Sequence, residues 1–238
     1  MEYRKHFVPL ESNPELFTEL IHNLGVAEAL AFHDVLSLED VELLAYIPRP
    51  VLALILVFPT TNEYEKQKAE EEMILQGYAK KGDEEIVMWY KQTINNACGL
   101  YGILHAISNC CARDFIVSDS ILSSLLARCV PLGPSDRALA LEDDEALEAA
   151  YNEVAIRGDT EAPANPEEEV DYHYVCFVKS HKDGHLYELD GDRKGPVDLG
   201  SLEQDDDLLS GATLTTIRHF VQKVQLGMGF SLLALAPQ

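Results

Sequence analysis

The run Val51-Leu52-Ala53-Leu54-Ile55-Leu56-Val57-Phe58, closed by Pro59, constrains this chain more than any other segment. It is the longest strongly apolar stretch and is too short to cross a bilayer. Aliphatic residues without polar alternation, bounded by proline, read as a strand buried on both faces. Helical signals surround it. Asn13 is a good N-cap, Pro14 suits the first helical position, and Leu16, Phe17, Leu20, Ile21 and Leu24 form one stripe that Gly25 can end. The charged stretch Glu63 to Lys81 reads as a solvated helix. Ala97 to Ser108 and Asp119 to Cys129 read as helices, and a third is expected from a Ser135 cap to about Tyr151. Between Asn152 and Asp171 the periodicity is lost, which marks a functional loop or a linker. His173 to Val178 and Leu186 to Leu189 then read as a hairpin turning at Asp183-Gly184. A helix from about Asp206 to Leu226 and a strand from Ser231 to Ala236 complete the pattern. The mixture argues for one α+β or α/β domain over residues 1–238.

A formal charge of −23 bears on partners. It repels nucleic-acid phosphates and anionic lipid, so neither nucleic acid nor membrane is expected, and it favours a partner with a basic face. The five cysteines have no regular spacing and no C-x-x-C pair, so disulfides, metal and cofactors are not expected. The opening residues Met1 to His6 lack the apolar segment of a signal peptide. A cytoplasmic, or nuclear, monomer with reduced thiols is the expectation.

Cys98 stands out by position. A thiol at the start of a helix meets unpaired N–H groups and the positive end of the dipole, which favour the nucleophilic thiolate. A structural thiol is the alternative on position alone, and Cys110, Cys111, Cys129 and Cys176 read as packing residues. Gln92, six residues before Cys98, lies where its amide can donate to an oxyanion beside the Cys98 N–H. His173 opens the incoming strand of the hairpin and Asp190 closes the returning one. Folding brings them within a few cross-strand positions, a base and a group to orient it. Taken singly, Gln92 is also a surface glutamine and Asp190 also a turn residue before Gly191.

These residues form a recognisable set. Gln92-Thr93-Ile94-Asn95-Asn96-Ala97-Cys98-Gly99-Leu100 resembles the active-site signature of the ubiquitin carboxyl-terminal hydrolases. Asp171-Tyr172-His173-Tyr174 and Gly184 to Gly191 resemble their histidine and aspartate segments. Leu10 to Glu15, Tyr46 to Val51 and Thr160-Glu161-Ala162-Pro163 resemble further stretches, in order, from about Phe7 to Ala236. The resemblance implies a papain-like α-β-α sandwich, its mostly antiparallel sheet flanked by helices and its backbone knotted. It implies a crossover loop at about 152–169 above the site, and a short member without a C-terminal extension. It implies a thiol-dependent deubiquitinase with Cys98 as nucleophile, His173 as general base and acid, Asp190 as its partner and Gln92 as oxyanion donor. Leu10, Glu11, Ser12 and Asn13 would contact ubiquitin or a ubiquitin-like modifier, and the adducts released would be small or flexible. The chain departs from the family in three places. Asn95 stands where glycine is usual and Gly102 where alanine is, and Asp190-Gly191-Asp192-Arg193 has one residue more than Asp-Gly-Arg. A ubiquitin-binding or storage protein with little turnover is the alternative function. A broad papain-like protease fits less well, because the loop should exclude folded chains.

Overall fold

The structure, a computed structural model, describes residues 3–159, 165, 167, 168, 170–224 and 229–238. In chain order the elements are β1 (Lys5–His6), α1 (Pro14–Leu24), β2 (Leu30–Asp34), α2 (Val41–Leu44), β3 (Ala53–Pro59), α3 (Asn62–Ile74), β4 (Ile94–Asn95), α4 (Cys98–Ile107), α5 (Ile121–Cys129), α6 (Pro134–Glu142), α7 (Glu145–Ala155), β5 (Tyr172–Lys179), β6 (His185–Leu189), β7 (Val197–Ser201), α8 (Gly211–Lys223) and β8 (Ser231–Pro237).

Six strands form one sheet in the order β2-β8-β3-β5-β6-β7, every neighbouring pair antiparallel. The apolar run lies at its centre as β3. Side chains alternate across a strand, so Ala53, Ile55 and Val57 join one core while Leu54, Leu56 and Phe58 join the other. The first core is shared with α1, α4, α5 and α7, the second with α8 and Tyr64 of α3. The result is an α+β fold with helices on both faces of an antiparallel sheet. Among the described residues no helix is long and apolar enough to cross a membrane.

Local chemistry explains most boundaries. Asn13 caps α1 by accepting from the Glu15 and Leu16 N–H groups, and Gly25 ends it in the left-handed region at φ 103°. The hairpin turns at Gly184, φ 75°. Four expectations need correction. The helix expected from Ser135 to Tyr151 is two helices. The first follows Gly133 with Pro134 in its first turn, and the chain then breaks at Asp143, where Asp144 caps α7 by accepting from the Leu147 N–H. The irregular segment begins after Ala155, later than Asn152, because Tyr151 and Val154 still pack into the core. Within that segment, Thr160 to Pro163 lie outside the described residues. The helix expected over Glu63 to Lys81 stops at Ile74, and that expected from Asp206 starts at Gly211 behind a Ser210 cap.

Candidate active site

Cys98 is the first residue of α4, a helix in which every following residue is buried. The chain enters it through Asn96 at φ 58°, a left-handed position that asparagine tolerates, and through Ala97, which offers no capping side chain. The thiol is half-buried and lies 4.0 Å from the Tyr172 carbonyl, at the mouth of β5. One residue on, His173 pairs with Phe58 in the β3–β5 ladder. The last β5–β6 pair joins Cys176 to Leu189, which carries Asp190 just past the ladder toward His173.

There His173 Nε2 meets Asp190 Oδ1 at 2.8 Å, leaving Nδ1 as the nitrogen free of the carboxylate. The Asp192 N–H donates to the same Oδ1 at 2.8 Å, and the Tyr64 hydroxyl donates to Oδ2 at 2.8 Å. The Trp89 indole N–H donates to the Asp190 carbonyl at 2.9 Å. Arg193 completes the surroundings, 3.0 Å from Glu188 and 3.9 Å from Asp190 Oδ2, with Glu71 at 2.8 Å. The extra residue at Asp192 therefore does not take the arginine away from the carboxylate.

Charge follows from this packing. Burial alone would raise the Asp190 carboxyl, but the His173 charge, its hydrogen bond and the Asp192 N–H hold it well below the usual carboxylate range. Burial would lower the imidazole, yet Asp190 and the nearby Cys98 sulfur raise His173 well above 6.5. Burial pushes Glu188 up to about 7 against the pull of Arg193.

The third segment reaches the site through its backbone. The Gln92 N–H donates to the Gly191 carbonyl at 2.7 Å, and a Cβ on Gly191 would lie 2.9 Å from the Gln92 Cβ, so only glycine permits the approach. The Gln92 amide nitrogen donates to the Ile94 carbonyl at 3.2 Å, while its oxygen is buried without a partner among the described residues. His105 of α4 accepts from the Tyr90 N–H at 3.0 Å, and burial depresses its pKa to about 3, so it stays neutral and able to accept. Helix α4 and the Asp190 turn thus grip the Gln92 segment from both ends.

Residues 10–13 run alongside. Leu10 is buried, its Cβ 3.2 Å from where a Gly99 side chain would begin, and its carbonyl accepts from Tyr174. Glu11 packs against Gly158, the Ser12 hydroxyl lies 3.2 Å from that of Ser231, and the Asn13 amide oxygen is engaged in its cap. Of the other cysteines, Cys129 and Cys176 are buried as expected, whereas Cys111 is exposed. Among the described residues no group of His, Cys, Asp or Glu is arranged to hold a metal ion. Tyr64 and Trp89 escape the sequence reading, and Asp192 and Arg193 enter it only as a departure from Asp-Gly-Arg. The available signal for Tyr64 is a lone large aromatic residue in the first turn of a charged helix.

Comparison with known proteins agrees. The sequence model of ubiquitin carboxyl-terminal hydrolase, family 1, matches residues 7–222. A ubiquitin carboxyl-terminal hydrolase of Drosophila melanogaster is 35% identical over 229 residues, covering 96% of each chain. Ubiquitin carboxyl-terminal hydrolase isozyme L1 of Rattus norvegicus is 37% identical over 229 residues, covering 95% of this chain and 96% of its own. The catalytic domain of Trichinella spiralis UCH37, solved bound to ubiquitin vinyl methyl ester, shares the fold, with a TM-score of 0.73 at 22% identity over 99% of this chain and 97% of that one.

Proposed function

The chain belongs to the ubiquitin carboxyl-terminal hydrolases of family 1, and on that premise we propose that it is a cysteine-type deubiquitinase that hydrolyses the bond following the C-terminal glycine of ubiquitin. Cys98 gives its proton to His173 and its sulfur attacks the glycine carbonyl carbon. The oxyanion that develops is met by the Cys98 N–H at the start of α4 and by the Gln92 amide. Collapse breaks the bond to the leaving group, which departs with the proton from His173 and leaves a thioester. Water then loses a proton to His173 and attacks the same carbon, and the sulfur leaves. Asp190 holds the imidazole and stabilises its charged form throughout.

The observation that carries this reading is the 2.8 Å contact between His173 and Asp190, formed beside a half-buried thiol at a helix start. Turnover of a ubiquitin C-terminal fluorogenic amide, abolished by Cys98→Ala, is the expected result. Turnover that survives the substitution, or none in the unaltered chain, would sink it.

A restriction to small or flexible leaving groups belongs to the same reading. Its support is that residues near both ends of the segment after α7 touch the site's surroundings. Gly158 lies against Glu11, and the Asn96 amide donates to the Glu168 carbonyl at 2.8 Å. A chain joining two folded ubiquitins should be cut far more slowly than the fluorogenic amide; equal rates would remove the restriction.

A further inference from the structure

Helix α3 has no apolar face, and its two buried side chains, Tyr64 and Lys68, stand one turn apart. Both end at the Asp190 turn. The Lys68 ammonium pairs with Asp192, whose N–H donates to Asp190 Oδ1. The Tyr64 hydroxyl donates to Oδ2 at 2.8 Å. The Tyr64 ring is fixed by neighbours, 4.9 Å from Phe58 edge-on and 6.0 Å from the His173 ring. Burial raises the phenol pKa well above 10, so the hydroxyl keeps its proton and donates throughout the working range.

A carboxylate turns freely about its last bond, with broad torsional wells. Contacts at Oδ1 alone leave the plane of the group under-determined, whereas a donor on Oδ2 adds an anchor outside that oxygen. We propose that Tyr64 is a positioning residue for the hydrolysis, its hydroxyl setting the rotation of the Asp190 carboxylate so that Oδ1 meets His173 Nε2. This rests on the assignment of Cys98, His173 and Asp190 to the reaction. The hydroxyl also draws carboxylate charge away from the imidazole, so its removal strengthens the hold of Asp190 on the His173 proton. The other groups facing this pair are Lys68 of α3, Cys98 and the neutral His105 of α4, Glu188 of β6, and Asp192 and Arg193 of the turn.

The test is Tyr64→Phe in the full chain, assayed on the ubiquitin C-terminal fluorogenic amide at a temperature where melting curves show both proteins folded. We expect kcat to fall about tenfold with KM within about twofold, and the alkaline limb of the pH profile to move up by roughly a few tenths of a unit. Added to Asp190→Asn, the substitution should cost less than it does in the unaltered chain, because it acts through the group at position 190 and part of its effect needs the carboxylate charge. Unchanged kcat, a raised KM with kcat preserved, or a fall in kcat with the limb unmoved and full multiplication in the double variant would each overturn the proposal. Persistent turnover in Cys98→Ala would instead remove the assignment on which it rests.

Discussion

Asp190→Asn is the most searching substitution, because the surroundings decide which way the amide sits. Oδ1 accepts from two donors, His173 Nε2 and the Asp192 N–H, while Oδ2 faces the rotatable Tyr64 hydroxyl. An amide nitrogen at the Oδ1 position would confront the backbone N–H, so the oxygen takes that side and the tyrosine hydroxyl turns to accept. The imidazole then keeps its tautomer, and the ~10⁴-fold loss seen when a triad amide imposes the wrong one is avoided. What disappears is charge. A hydrogen bond to a charged acceptor is worth ~1.5–3 kcal/mol and a neutral one ~0.5–1.5 kcal/mol, a difference of ~1–2 kcal/mol, or roughly 5–30-fold in kcat. Because the carboxylate is what holds His173 above 6.5, the alkaline limb should move down toward the ordinary histidine value. Steady-state kinetics across pH on the fluorogenic amide measure both quantities. A kcat within about twofold of the parent, with the limb in place, would refute the reasoning; a loss near ~10⁴ would show that the amide had turned the other way.

Three further outcomes are expected. Arg137, wholly buried, binds both oxygens of Glu85 and the carbonyls of Trp89, Leu132 and Cys129. Arg137→Met strands that carboxylate at ~3–5 kcal/mol, so calorimetry should show Tm lower by roughly 6–20 °C; a drop under about 3 °C would mean that Glu85 finds water. In Gly102→Ala the new methyl approaches the Ile55 side chain at 3.4 Å, an ordinary contact, and the helix gains ~0.8–1.0 kcal/mol of propensity. Tm should rise by about 2–4 °C, and a fall would show that α4 cannot shift against β3. With a net charge of −23, stopped-flow association with ubiquitin should slow as ionic strength rises from about 10 to 300 mM, and a flat rate would exclude steering.

What the sequence makes legible depends on whether the cause of a feature is local. Asn13, Pro14 and Gly25 carry their own backbone chemistry, so α1 reads correctly to the residue at both ends. The apolar run and the Asp183-Gly184 turn likewise locate β3 and the hairpin, although β3 runs from Ala53 to Pro59 instead of Val51 to Phe58 and the hairpin strands extend to Tyr172, Lys179 and His185. Strands β2 and β7 go unread because they are short and half polar, and they owe their state to partners far along the chain: Leu30–Asp34 pairs with residues 233–237, and His185–Glu188 holds Val197–Ser201. The break at Asp143-Asp144 is missed for a different reason: the residues around it are good helix formers, and the Asp144 cap alone marks the new start.

The site divides along the same line. Cys98, His173 and Asp190 are legible because each sits at the end of an element, where position alone gives a side chain reach. Their supports are not legible, because each acts across the fold. The Tyr64 hydroxyl reaches a carboxylate 126 positions away, and the Trp89 indole a carbonyl 101 positions away. Arg193 is the instructive case. Set beside the family's Asp-Gly-Arg, the insertion of Asp192 looks disruptive, yet the added residue supplies an N–H to Oδ1 and a carboxylate to Lys68, while the arginine still reaches Glu188 and Glu71. A buried carboxylate needs its oxygens satisfied, and that demand can be met from any element that packs against it. The chemistry of the acting groups is therefore visible in their local sequence, whereas the groups that hold them can be identified only once the chain is folded.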